Sequence, residues 1–251
     1  MSGHSHWSTI KHKKALVDKR RGKLWSKLSR NLIAAARSGG GDPTMNLALR
    51  YAIDKAKAAN MPNDTIDRAI ARGSGGGEGA DFEEIAYEGY APGGVALLIQ
   101  ALTDNRNRTA PEIKKLLERH GGKLGATGCV AFMFKKKGVV LVAADQADEE
   151  TLMELAIDAG ADDVTTTEDG FEITCEPAAY DAVREALKQR GIETVSAELG
   201  MVPDATITVE SDPAQKVLGL IEALEEHDDV QNVYSNFDIP AEVMDRVAAT
   251  S

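Results

Sequence analysis

Cysteine, aromatic side chains and long apolar runs are all scarce in this chain of 251 residues. Cys129 and Cys175 are the only cysteines and no Cys-x-x-Cys pair exists, which argues against a disulfide framework or a cysteine zinc site and suits a reducing cytosol. No apolar stretch approaches the roughly 20 residues that cross a bilayer. The opening residues Ser2-Gly3-His4-Ser5-His6 are polar and lack the apolar core of a secretory signal. The expectation is therefore a cytoplasmic protein with no membrane partner. Catalytic signatures are missing too: there is no Gly-x-Ser-x-Gly elbow and no His-Glu-x-x-His helix. Beyond the N-terminal arm the only histidines are His120 and His227, each at a predicted helix end, where capping explains them. The carboxylate runs Asp148-Glu149-Glu150 and Glu225-Glu226 read as solvated helix surface. No catalytic residue, no cofactor and no enzyme are expected.

Charge is present, and it is divided. Residues 1–72 hold 15 Lys/Arg and 5 Asp/Glu, a balance of 15 − 5 = +10, whereas residues 73–251 hold 14 and 35, a balance of 14 − 35 = −21. The whole-chain value of −11 averages a basic N-terminal part and an acidic body. A concentrated cationic segment on an acidic protein is the electrostatic footprint of a polyanion contact.

Periodicity divides the chain further. Residues 1–18 form a basic arm with no helical repeat. Residues 19–73 form a three-helix domain: Leu24, Trp25, Leu28, Leu32 and Ala36 line one face of a first helix, with Arg20, Lys23, Lys27, Arg30 and Arg37 roughly opposite. Gly39-Gly40-Gly41 ends that helix, and Asp42 as N-cap with Pro43 at the first position starts a second, running to about Ala59. A third covers about Asp64 to Arg72. Residues 74–81 are a Gly-rich hinge, lacking the Gly-Lys-Ser/Thr ending of a phosphate loop.

After the hinge, strands alternate with helices. Val95–Leu102 reads as a strand, Thr109 with Glu112 as a capping box opening a helix, and Cys129–Phe134 as the next strand. Residues 138–202 spell β-α-β-β-α-β, the ferredoxin-like order. The flanking segments, 82–137 plus 203–240, include a strand at Ala205–Val209, a helix at Pro213–His227 and a strand at Val230–Phe237, and together spell the same order. The fold class expected is α+β: an N-terminal three-helix domain, then two ferredoxin-like α/β domains, the second inserted in the first, with residues 241–251 as a tail.

Two constellations bear on binding. In the arm, His6, Trp7, Lys11, His12, Lys13 and Lys14 stand together. With His4 the arm also holds two imidazoles two apart, His4 and His6, which are able to chelate, but no carboxylate or cysteine joins them, so no metal is assigned. Ammonium groups meeting phosphates and an indole stacking on an unpaired base give the better account. With Arg20, Arg21, Lys23, Lys27, Arg30 and Arg37 they make the candidate nucleic-acid-binding set. Trp25 lies on the inner helical face and reads as core. The second constellation is Thr103 to Thr109, where Arg106 and Arg108 either hold a phosphate at a helix start or pair with Asp104 and other acids of the body.

Long motifs carry a resemblance. GHSHW with KHKK (3–14), RSGGGDP (37–43), DKAKAANMP (54–62), RAIARG (68–73), YEGYAPGGVALLIQALTDNRNRT (87–109), HGGKLGATG (120–128) and VQNVYSNFDIP (230–240) resemble the YebC/PmpR family. That family includes the mitochondrial translational activator of cytochrome c oxidase. The resemblance covers essentially the whole chain and implies three domains, one helical and two α/β. It implies a DNA-binding transcriptional regulator, or a ribosome-associated activator of translation that relieves stalling on proline-rich stretches, and carries over no catalytic residue. His6 stands where members commonly have Lys, which exchanges a fixed charge for a titratable one.

Three functions follow as expectations: a DNA-binding regulator of transcription, a ribosome-bound factor holding rRNA or tRNA, and an acidic scaffold for a protein partner. Against sequence-specific readout, no helix begins with the Asn, Gln and Arg side chains that read base edges.

Overall fold

The computed structural model describes residues 21–75, 82–167, 170–240 and 243. The predicted arm and most of the hinge and tail lie outside them. Two compact units result. One holds the described residues up to Cys129 together with Asp212–Val233; the other holds the described residues within Val130–Ser211 and from Tyr234 on. Among the described residues no helix is long and apolar enough to cross a membrane.

The first unit begins with three helices, α1 (Arg21–Gly39), α2 (Leu47–Ala58) and α3 (Asn63–Ser74). Leu28, Leu32, Ile33 and Ala36 from α1 recur at helical spacing and meet Leu49 and Ala56 of α2 and Ile66 and Ala69 of α3 in one core. Each fully buried aliphatic side chain there contributes about 1.5–3 kcal/mol. Trp25 packs half-buried against this core as expected, and its indole N–H donates to the Ala59 carbonyl at 3.1 Å. α1 and α3 approach closely at Gly73, where a Cβ would stand 2.4 Å from the Ile33 carbonyl oxygen.

The second helix starts later than the sequence suggests. Asp42 does not cap it. Its carboxylate accepts from the Thr44 N–H and hydroxyl and closes a turn, while Asn46 is the N-cap, accepting from the Leu49 N–H at 3.1 Å. Pro43 thus precedes the helix by one turn, because the Asp42-centred turn competes for the same residues.

The same unit contains the sheet β3-β1-β2-β9, made of β1 (Glu83–Tyr90), β2 (Ala96–Thr103), β3 (Lys123–Leu124) and β9 (Val230–Ser235). Helices α4 (Arg106–Arg119) and α7 (Ser211–Glu226) belong with it, burying Ile113 and Leu117 from one and Val217, Leu220 and Leu224 from the other. β1 and β2 form an antiparallel hairpin in full register from Glu83↔Thr103 to Tyr90↔Ala96. Its Ala91-Pro92-Gly93-Gly94 turn needs φ of 79° and 78° at the two glycines, a region costly for other residues.

This route to four strands differs from the expected β-α-β-β-α-β order. The hairpin partner β1 supplies a central strand. Cys129–Phe134 is a loop with a short 3-10 turn, because the Gly125 and Gly128 N–H groups bond to the Glu88 carbonyl and side chain and the Cys129 carbonyl accepts from Tyr90. α4 begins at Arg106 with Asn105 as its cap, so Thr109 lies inside the helix and does not open it.

The other unit contains β4 (Phe134–Ala143), α5 (Glu149–Asp158), β5 (Ala161–Thr167), β6 (Gly170–Cys175), α6 (Tyr180–Gln189) and β7 (Thr194–Pro203). Its strand order β5-β6-β4-β7 is that of the ferredoxin-like fold. Val140 faces Ile173 and Val142 faces Phe171, and Gly138 makes room for Cys175 and the Tyr180 ring. Burial pushes the Cys175 thiol up to about 11, as befits an inert core position. On the opposite sheet face Glu172 is buried between Leu141 and Thr165, and burial together with nearby Asp163 lifts its carboxyl to about 8. The predicted strand at Ala205–Val209 shortens to β8 (Ile207–Thr208), which pairs in parallel with β10 (Phe237–Asp238) as a separate two-stranded sheet.

Candidate nucleic-acid interface

Of the predicted binding set, His6, Trp7, Lys11, His12, Lys13, Lys14 and Arg20 lie outside the described residues, and Arg21 opens α1. The remainder can be placed. Lys23, Lys27 and Arg30 follow one another at spacings of four and three, so the helix stacks them in a single row. That row meets the end of α7. Lys23 Nζ donates to the Glu226 carbonyl at 3.3 Å, Lys27 Nζ to the Glu225 carbonyl, and Arg30 Nη1 to the Asp228 carbonyl at 2.9 Å.

The reason is electrostatic. The last carbonyls of a helix lack intrahelical partners and carry the negative end of its dipole. α7 has no basic residue in its last turn and ends in Glu225-Glu226, so its C-terminus draws cations from another element. The row expected to meet a polyanion thus touches backbone carbonyls of its own protein at the end of α7, with Lys23 still exposed. An acidic helix end without a basic residue was the signal available in the sequence.

Arg30 continues into a second contact, 2.8 Å from the Asp229 carboxylate, whose side chain is only 4% exposed. Asp229 sits between α7 and β9 and gathers four side chains. Its Oδ1 accepts from Arg30, and its Oδ2 accepts from Arg108 at 2.7 Å, Thr109 at 2.7 Å and Thr103 at 3.2 Å. Its carbonyl accepts from the Leu102 N–H at 2.7 Å. Burial pushes the Asp229 carboxyl up, but the hydrogen bonds from Arg108, Thr109 and Thr103 with the Arg108 charge outweigh it and hold the group below the ordinary carboxylate range. Of the two open readings of the 103–109 loop, Arg108 takes the structural one, bonded to Asp229 and to Asp104 at 3.0 Å. Arg106 is exposed and stands 3.7 Å from Glu83.

Glu112, His227 and Asp229 come close enough to suggest a metal site. The hydrogen bonds argue against one. His227 Nδ1 accepts from the Asp229 N–H at 3.1 Å, which places the ring proton on Nε2, 3.0 Å from Glu112. Both ring nitrogens and both Asp229 oxygens already have partners within the chain, and two of those partners of Asp229 are guanidinium cations, which disfavour a second cation at the same carboxylate.

Besides Lys23, the helical part presents further basic side chains to solvent. Residues 21–75 carry 10 Lys/Arg and 4 Asp/Glu, 10 − 4 = +6. Arg37, Arg50, Lys57 and Arg72 are exposed. Of these only Arg37 belongs to the predicted set. Arg50 stands on the outward face of α2 beside Tyr51, with its guanidinium 5.5 Å from the ring centre. The alternation of Leu49, Ala52, Ile53 and Ala56 inward was the sequence signal that turns Arg50 and Lys57 outward.

Comparison with known proteins agrees with this architecture. Residues 5–76 match the model of the TACO1/YebC protein N-terminal domain, and residues 82–237 that of the TACO1/YebC second and third domain. A protein of Rubrobacter xylanophilus is 56% identical over 249 residues, covering 99% of this chain and 100% of that one. One of Pelotomaculum thermopropionicum is 54% identical over 241 residues, covering 95% and 99%. Both carry the name "Probable transcriptional regulatory protein". A crystal structure of a conserved hypothetical protein from Aquifex aeolicus shares the fold at a TM-score of 0.85 and 49% identity, covering 96% of this chain and 99% of that one. The matched segments run through the helical part and both four-stranded sheets alike, and the chain belongs to the TACO1/YebC family.

Proposed function

We propose that this protein is a non-enzymatic, nucleic-acid-binding regulator of gene expression, and specifically a DNA-binding regulator of transcription. The observation that carries this reading is the charge of the helical part, +6 over residues 21–75, against an acidic remainder. The names of its relatives point the same way. The contact surface comprises the arm residues His6, Trp7, Lys11, His12, Lys13, Lys14, Arg20 and Arg21 together with the exposed Arg37, Arg50, Lys57 and Arg72. Lys23, Lys27 and Arg30 act at one remove, by holding α1 against α7. Arg106 remains a secondary phosphate contact, being exposed at the start of α4.

Binding of this kind rests on phosphate neutralisation and falls steeply with salt. The test is crosslinking in cells followed by sequencing of the attached nucleic acid. Recovery of chromosomal DNA clustered at promoters supports the proposal, whereas recovery of rRNA or tRNA alone overturns it in favour of action at the ribosome.

A further inference from the structure

The turn joining α1 to α2 holds the most exposed of the large apolar side chains among the described residues. Met45 is 84% exposed and Leu47 is 53% exposed, while Asn46 between them is buried. The turn is firmly built. Asn46 Nδ2 donates to the carbonyls of Ala35 at 2.7 Å and Gly40 at 2.8 Å, and its Oδ1 caps α2. The Asp42 carbonyl accepts from the N–H groups of Met45 at 3.1 Å and Asn46 at 3.0 Å. Two apolar side chains are therefore held in water on a braced projection, where they add nothing to the core.

Their surroundings specify a partner. Arg37 lies in the last turn of α1, which Asn46 ties to this projection, and Arg50 lies one helical turn beyond Leu47 on the same face of α2. Between residues 21 and 60 the acids are Asp42, whose Oδ1 is engaged by Thr44, and Asp54, one turn beyond Arg50 on α2, against six Lys/Arg besides the two guanidiniums. Two apolar tips bounded by guanidinium groups are far short of the roughly 800 Å² per partner of a stable protein interface. The combination fits duplex DNA, in which cations meet flanking phosphates while an apolar wedge parts a base step from the minor groove.

We propose that Met45 and Leu47 form such a wedge, kinking duplex DNA at a flexible pyrimidine–purine step while Arg37 and Arg50 hold the phosphates on either side. This deepens the DNA-binding reading and rests on it.

The test uses the full chain and a 30-base-pair duplex carrying fluorophores at its ends and 2-aminopurine at a central TA step. The wild type is expected to shorten the end-to-end distance and raise 2-aminopurine emission. The double variant Met45→Ala, Leu47→Ala is expected to lose both signals and about tenfold in affinity, from the contacts that only the bent duplex permits, with an unchanged thermal midpoint. Arg50→Ala is expected to lower the salt slope by about one phosphate contact while keeping the bend. Wild-type binding without bending, or bending that survives the double variant, overturns the wedge and leaves DNA binding standing. No duplex binding at 50 mM salt overturns both. Preference for an RNA duplex of the same sequence, or a wild-type dimer that the double variant returns to monomer, also overturns the wedge.

Discussion

Arg30 on the first helix and Asp229, after the last helix, meet at 2.8 Å across 199 residues of sequence. Asp229 also binds Arg108, Thr103 and Thr109, so one carboxylate joins the helical part to the end of β2 and the start of α4. Removing its charge takes from the partly exposed Arg30 and Arg108 the carboxylate they share. Asp229→Asn is expected to cost about 1.5–3 kcal/mol, the scale of hydrogen bonds to a charged group, read by urea unfolding of the full chain. Arg106→Ala, which breaks only an exposed pair, is the control and is expected to cost less than about 1 kcal/mol. Equal losses for the two would contradict the arrangement.

The same carboxylate sets an acid limit. Its folded pKa lies below the unfolded value, so the ionised form is favoured by folding. Its contribution is present above the unfolded value near 4 and disappears as pH falls through the folded value. Trp25 fluorescence, in a Trp7→Phe background, is expected to report unfolding of the helical part below about pH 4. Asp229→Asn is expected to flatten that acid-limb dependence.

Glu172 acts with the opposite sign. Its carboxyl is raised to about 8 by burial first and Asp163 second. Stability from the protonated form is full below the unfolded pKa near 4.5 and is lost progressively as pH rises through about 8. Glu172→Gln is expected to stabilise the inserted sheet at pH 8 and leave it little changed at pH 4.5. Amide exchange in β4 and β6 measures this, and a variant less stable at both values would contradict it.

Charge reversal separates binding from capping. Arg50→Glu with Lys57→Glu is expected to weaken duplex binding at least tenfold and flatten its salt dependence by about two phosphate contacts, with stability held. Lys27→Ala is expected to lower the unfolding midpoint more than the affinity, because it removes a cap from α7.

Close packing gives a sterically driven test. Gly73→Ala places a methyl group against the Ile33 carbonyl oxygen and the Ala36 side chain. A loss of about 1–3 kcal/mol is expected from overpacking, visible as a lower thermal midpoint.

The helices and the inserted ferredoxin-like order were legible because their signals are local: 3.6-residue spacing in α1 and hairpin-linked strands. The outer sheet was not. Glu83–Tyr90 mixes charged, small and aromatic residues with no clear alternation, and becomes a strand because Ala96–Thr103 offers it a full register of partners. Cys129–Phe134 is apolar enough for a strand, yet bonds from Gly125 and Gly128 to Glu88 fold it into a loop. The basic row on α1 was legible as a row. What it meets was written only in the acidic end of α7, 198 residues further along in the case of Lys27, and so not in the row itself.

That separation matters while the protein is being made. The hairpin of β1 and β2 emerges early, but β9, which flanks β2, and Asp229, which binds Thr103, follow only after an entire second sheet has been translated. Through that interval the growing chain holds an open strand edge and cations whose final neighbours do not yet exist. A nascent chain in this condition is exposed to mispairing at β2, and a chaperone or the ribosome surface that shields this edge would set the yield of folded protein.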